Sequence, residues 1–204
     1  MQQVVEITVK KDDAILQKPE DFHLLVPVFH TENACAGAVT AHLLRRIAYR
    51  AGAYAPGIQE QLFHELNTAA DGSSIESVQA WFGARGKKLA QLGYRLQSRR
   101  VALPTPALLE WVHAGKGYRG AMLPTNFKRL HPTPGGRSVD HAVGITLDRL
   151  DPGDSTSIEE LVMIDPWPGV GPAAHDRAKI SPHLELAHKE RGFHTLLLYW
   201  IGWS

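Results

Sequence analysis

One cysteine and eleven histidines stand out in this 204-residue sequence as a candidate nucleophile and its candidate bases. Cys35 stands where the residues turn helical. From Asn33 onward Ala36, Val39, Leu43 and Ile47 recur at intervals of three and four, opposite Arg45, Arg46 and Arg50, and Gly52 supplies an end signal. The first turn of such a helix holds unpaired amides and the positive end of the dipole, and both favour a thiolate over a thiol. A thiol placed there is a candidate nucleophile. The alternative for an isolated cysteine is a small buried apolar side chain.

A cysteine nucleophile needs a base, and eleven histidines make the mere presence of one uninformative, so geometry has to choose. His42 lies seven residues along the same helix, about 10 Å up its axis, which is too far for a hydrogen bond to Cys35. His30 falls in the turn entering the helix, where a solvated or capping role is as good a reading. His141 opens the strand-like run His-Ala-Val-Gly-Ile-Thr-Leu and has a partner that can be specified. Residues 141–148 and 158–165 are neighbouring strand candidates, so the default connection is an antiparallel hairpin. A pairing of His141 with Asp165 is centred on Gly153, inside the turn signal Asp151-Pro152-Gly153-Asp154. Opposed side chains share a face with Cβ atoms about 5 Å apart, close enough for a carboxylate to orient an imidazole and stabilise its protonated form. A bulge in the loop would change that register, and a one-residue slip would part the two faces.

The elements that must position these groups follow from periodicity. Residues 3–10 and 23–29 are rich in β-branched side chains and read as strands, the first as an edge strand. Ser73 with Glu76 has capping-box spacing ahead of Val78, Trp81 and Phe82. Residues 57–69 carry helical spacing too, so helix extends to about residue 93. Thr105-Pro106, then Leu108, Leu109, Trp111 and Val112, closed by Gly115, predict a short helix with a cap, a first-turn proline and a terminal glycine. Beyond Gly115 the period shifts towards two, with strands expected at 118–123, 139–147, 158–165 and 194–203. The expectation is one α+β domain over residues 1–204, a helical half at about 30–115 followed by a sheet half at about 116–204.

These residues resemble papain-like cysteine hydrolases, and among them the bacterial peptidase-like domains related to the double-glycine leader peptidases of bacteriocin export. Asn33-Ala34-Cys35-Ala36-Gly37-Ala38 is similar to the family's nucleophile helix. The segment Ala107 to Gly115 is similar to the one preceding the histidine's strand. Asp140-His141-Ala142-Val143-Gly144-Ile145 is similar to the histidine strand itself, and Val162-Met163-Ile164-Asp165-Pro166-Trp167 to the aspartate strand and its turn. The resemblance spans residues 33–167. It implies a papain-like fold, the nucleophile at a helix N-terminus packed on a C-terminal antiparallel sheet, with Cys35 as nucleophile, His141 as general base and acid, and Asp165 as orienter. It implies neither cofactor nor metal, and a peptide or protein substrate whose amide bond is cleaved through an acyl-enzyme. The same chemistry serves deamidation of a protein glutamine or cutting of a cell-wall peptide. The reading of another class is an inactive papain-like module that binds a peptide or protein. Relatives place a glutamine six residues before the cysteine as oxyanion donor, where this sequence has Phe29; Asn33, His30 or backbone amides are the substitutes on offer.

Composition sets the outer bounds. With 44% apolar residues the chain can bury a real core, and 22 basic against 21 acidic side chains give a net charge of +1, which asks for neither nucleic acid nor an anionic membrane. The start lacks a basic region followed by an apolar one, and no apolar run approaches the roughly 20 residues that span a bilayer, so the expected location is cytoplasmic unless a dedicated system exports the chain. His175, His183, His188 and His194 crowd the C-terminal segment without ligand spacing of one helical turn. Six basic and no acidic residues between Val78 and Leu109 read as a solvated face or as a site for an acidic partner.

Overall fold

A computed structural model describes residues 6–9, 35–51, 74–91, 95–132, 140–149, 159–166, 177–179 and 182–201. The expected strand at 23–29 and helical segment at 57–69 lie outside the described residues, as do Phe29, His30, Asn33, Gly153 and Trp167. Helix α1, Cys35–Arg50, starts at the cysteine itself. Through Ala48 its described side chains are almost all buried, with Ala36, Ala38, Val39, Ala41, Leu43, Leu44, Ile47 and Ala48 at most 3% exposed. An Ala-rich helix of small radius can be enclosed in this way, because neighbours approach its backbone closely. Helix α2, Ile75–Gln91, turns Ile75, Val78, Trp81, Phe82 and Leu89 inward at helical spacing and packs beside α1. The residues that cap α2 are Ser74 and Ser77. The Ser77 amide donates to Ser74 Oγ at 3.1 Å, and the Ser74 amide donates to Ser77 Oγ at 2.9 Å. The capping box therefore sits one residue later than the Ser73/Glu76 spacing predicts, with a serine hydroxyl in the role of the carboxylate.

The strands are β1 Glu6–Val9, β2 Leu96–Ala102, β3 Arg119–Asn126, β4 Asp140–Arg149, β5 Glu159–Ile164, β6 Arg177–Lys179 and β7 His194–Trp200. They form one sheet in the order β2-β7-β3-β4-β5-β1-β6. Three further helices, α3 Thr105–Ala114, α4 Phe127–Leu130 and α5 Pro182–Lys189, complete the described elements. Two apolar cores flank the sheet. One joins α1 and α2 to Met122, Ala142, Ile164, Leu196 and Leu198; the other joins α3 and α5 to Ala121, Leu123, Val143, Ile145 and Leu197. Adjacent strand residues enter opposite cores, as a sheet covered on both faces requires.

The class is α+β, but the division into a helical half and a sheet half does not hold. β2 lies within the expected helical half and α5 within the expected sheet half, and helices cover both faces of the sheet. β2 has no counterpart among the expected strands. It pairs antiparallel with β7 along its whole length. The outer strand of the sheet shows Gln97, Arg99 and Arg100 to solvent, so its apolar alternation is weak. Nor is β1 an edge strand or the sheet wholly antiparallel: β1 lies parallel to β5 and antiparallel to β6. The helix at Thr105 is present, with its proline in the first turn and Gly115 at its C-cap, but Thr105 makes no cap hydrogen bond. Its hydroxyl is spent on His188 Nδ1, at 2.9 Å. No helix among the described residues is long and apolar enough to cross a membrane.

Candidate active site

Two glycines fix how α1 meets the sheet. A Cβ on Gly144 of β4 would come within 3.0 Å of Val39 Cγ1, and one on Gly120 of β3 within 2.9 Å of Leu43 Cδ2. Gly120 pairs with Thr146, so α1 advances along β4 in the strand's own direction, with Val39 over position 144 and Leu43 reaching the level of 146. One helical turn back from Val39, about 5.4 Å or less than two strand residues, the helix begins at Cys35 over the start of β4. His141 is the second residue of that strand. The glycines thus bring the thiol, only partly buried, to the imidazole at the end of the sheet. Cys35 is among the groups whose influence raises the His141 imidazole, so the thiol bears on that ring.

β4 and β5 form the expected antiparallel hairpin in a shifted register. Gly144 faces Ile164 and Arg149 faces Glu159, so the pairing is centred on residue 154 and not on Gly153. His141 and Asp165 are therefore not directly opposed. The shift displaces the partner by two residues, which preserves the shared face and makes the pair diagonal. Asp165 follows the last residue of β5, and a diagonal neighbour at about 7–8 Å is within reach of an imidazole. His141 Nε2 lies 2.8 Å from Asp165 Oδ1.

A second histidine completes the arrangement. Asn126 ends β3 and accepts from the Arg129 amide at 3.3 Å, capping α4. That turn delivers His131, whose Nε2 lies 2.6 Å from Asp165 Oδ2. Phe127 packs against both rings, its centroid 4.9 Å from His131 and 5.3 Å from His141, the latter edge to face. His131 has no role in the sequence-based expectation. The signal that could have found it is the short Asn-capped turn between β3 and β4, which returns the chain to the end of the sheet where His141 starts.

The side chains of His141 and Asp165 are 4% and 1% exposed, and that of His131 is 22% exposed. Burial alone would raise the Asp165 carboxyl, but hydrogen bonds from His131 and His141 outweigh it and hold the group well below the ordinary carboxylate range. An ionised carboxylate only accepts, so both imidazoles present Nε2–H to it. Burial likewise pulls His141 down, and the hydrogen bonds and charges of Asp165 and Cys35 more than reverse this, raising it to about 9. With Nε2 committed to Asp165, the ring nitrogen left to His141 for the thiol is Nδ1.

His131, His141 and Asp165 also have donor atoms within 4.8 Å of one another and belong to metal-binding residue types. Two imidazoles on one tetrahedral zinc, with Zn–N bonds of about 2.0–2.1 Å, would have ring centroids about 5 Å apart. Here the centroids are 6.3 Å apart and each Nε2 engages a different carboxylate oxygen. That is the geometry of a hydrogen-bonded relay. Of the other histidines, His188 is buried between Thr105 and Thr195, and His42 is buried in α1 with its Nε2 accepting from Arg46 at 2.5 Å, so neither serves Cys35. Compared with protein-family models, with curated proteins and with solved structures, the chain matches none.

Proposed function

We propose that the protein is a papain-like cysteine hydrolase that cleaves an amide bond, a peptidase in its simplest form, with Cys35, His141 and Asp165 as its triad. The observation that carries this reading is the buried His141–Asp165 hydrogen bond at the start of β4, with the partly buried Cys35 opening α1 above that end of the strand and bearing on the imidazole. His141 Nδ1 takes the proton from Cys35 Sγ, and the thiolate attacks the amide carbonyl. The imidazolium, steadied by Asp165 through Nε2–H, returns that proton to the nitrogen that leaves, and a thioester remains on Sγ. Water then attacks the thioester while Nδ1 accepts its proton. The acid departs, and Sγ recovers its hydrogen from the ring.

A peptide or protein is the substrate class proposed, because an amide is the bond this chemistry breaks. Cys35→Ala and Cys35→Ser, assayed beside the wild type against a peptide library and a cell lysate, test the reading. Both variants should fold and lose all turnover; wild-type rates in either would remove the thiol from the mechanism. Products separate the amide substrates, since cleavage yields two fragments and deamidation adds about one dalton. A Cys35 inert to alkylation would instead favour a module that binds peptide without cutting it.

A further inference from the structure

Asp165 lies beyond the last paired residue of β5, two register positions away from direct opposition to His141. Ladder pairing therefore does not fix the side chain against its partner. A carboxylate torsion is broad and nearly two-fold, so the plane of the group is set by what holds its two oxygens. One oxygen goes to His141 and the other to His131, at 2.8 and 2.6 Å. We propose that His131 is a positioning residue for the hydrolase: by holding Asp165 Oδ2 it fixes the carboxylate plane that keeps Oδ1 on His141 Nε2–H and so aims Nδ1 at Cys35. The inference rests on the triad reading and adds a fourth residue to it.

Among the described residues, the groups that bear on this relay come from four elements. Cys35 approaches from α1, His141 from β4, Asp165 from the end of β5 and His131 from the end of α4. Farther out, Arg129 beside His131 pairs with Glu190 at 2.5 Å, and Asp140 beside His141 pairs with Arg191. Both pairs are largely exposed, so solvent and salt screen them. Among the described residues, His131 and His141 lower Asp165 against the cost of burial. On this proposal, loss of the His131 donor frees the carboxylate plane to turn, and His141 loses part of the support that, with that of Cys35, outweighs its own desolvation.

Three substitutions separate the donor from the ring. His131→Gln keeps an N–H at similar reach, His131→Phe keeps packing against Phe127 without a donor, and His131→Ala keeps neither. Two measurements apply to each: the rate at which iodoacetamide alkylates Cys35 at pH 6, and the titration midpoint of His141 followed through its ring ¹⁵N shifts. The expectation is a drop of about tenfold or more in rate for Phe and Ala, the scale of one lost charge-assisted hydrogen bond. The His141 midpoint should move down from about 9 towards its ordinary 6.5 in these two variants, with Gln close to the wild type in both measurements. Wild-type behaviour in all three, rescue by Phe as good as by Gln, or an upward shift of the midpoint would overturn the proposal. His141→Asn is the control. If it leaves the alkylation rate unchanged, the triad reading falls and this inference with it. If it slows alkylation while His131→Ala does not, only the inference falls.

Discussion

At the scale of single residues the site rests on a charge that burial opposes. Desolvation is the largest influence on both His141 and Asp165, and in each it disfavours the charged form, yet the contacts between them win. The consequence for stability has a definite sign. His141 is raised above its ordinary 6.5, so its contribution is whole below that value and is lost as pH rises through about 9. Asp165 is depressed, so its contribution is whole above its ordinary 3.8 and is lost as pH falls through its lower native value. Asp165→Asn removes the partner that sustains the raised imidazole. Thermal midpoints of the wild type should fall between pH 6.5 and 9, and those of the variant should fall less across the same window. Calorimetric scans at half-unit pH steps check this; parallel curves would mean that the pair is not ionised as its contacts require.

At the scale of elements, the fit of α1 on the sheet decides whether the thiol arrives at the imidazole. Of the two glycines beneath the helix, Gly144 has less room to give. The atom opposite it belongs to Val39, a β-branched side chain held stiffly in a helix, whereas Gly120 meets the far end of a leucine. Gly144→Ala should therefore cost about 1–3 kcal/mol, the range of an overpacked core, and slow alkylation of Cys35 by lifting the start of α1 from β4. Denaturant titration and thiol kinetics read the two effects, and an unchanged alkylation rate would show that the helix start does not move. The pattern of what the sequence disclosed follows from the same packing. α1, α3 and strands β3, β4, β5 and β7 were legible because each turns a continuous apolar face to a core. β2 was not, because its outer position lets arginines and a glutamine interrupt the alternation. The β4–β5 hairpin was legible but its register was not, since a loop centre one position away slides the partner by two residues and leaves the face unchanged. Cys35, His141 and Asp165 could be named from residue type, order and parity. His131 left only the signal of an Asn-capped turn, because it reaches Asp165 through tertiary placement of a four-residue helix that has no period to read.

At the scale of the whole molecule a different histidine joins the elements on the face opposite α1. His188, on α5, sits between the Thr105 hydroxyl at the start of α3, 2.9 Å from Nδ1, and the Thr195 hydroxyl on β7, 2.9 Å from Nε2. Nε2 also lies 3.2 Å from the His194 carbonyl, which can only accept, so the neutral ring carries its proton on Nε2 and Nδ1 accepts from Thr105. Burial dominates this group and lowers it to about 4. A depressed histidine contributes stability that is whole above 6.5 and is lost as pH falls through about 4, because protonation places a charge where none is compensated. This is the mirror image of His141, whose contribution fades on the alkaline side. The two together give a fold whose stability is greatest near pH 6.5 and declines in both directions, the acid limb from the joint between α3, α5 and β7 and the alkaline limb from the candidate active site. His188→Gln tests the acid limb. It should lower stability at pH 7 by about 1–3 kcal/mol, the cost of leaving buried polar partners imperfectly met, and flatten the decline between pH 6.5 and 4. The alkaline limb should be untouched. Urea titrations of the wild type and variant at pH 4, 5, 6.5 and 9 resolve both limbs, and an acid limb as steep in the variant as in the wild type would assign the acid sensitivity to carboxylates elsewhere.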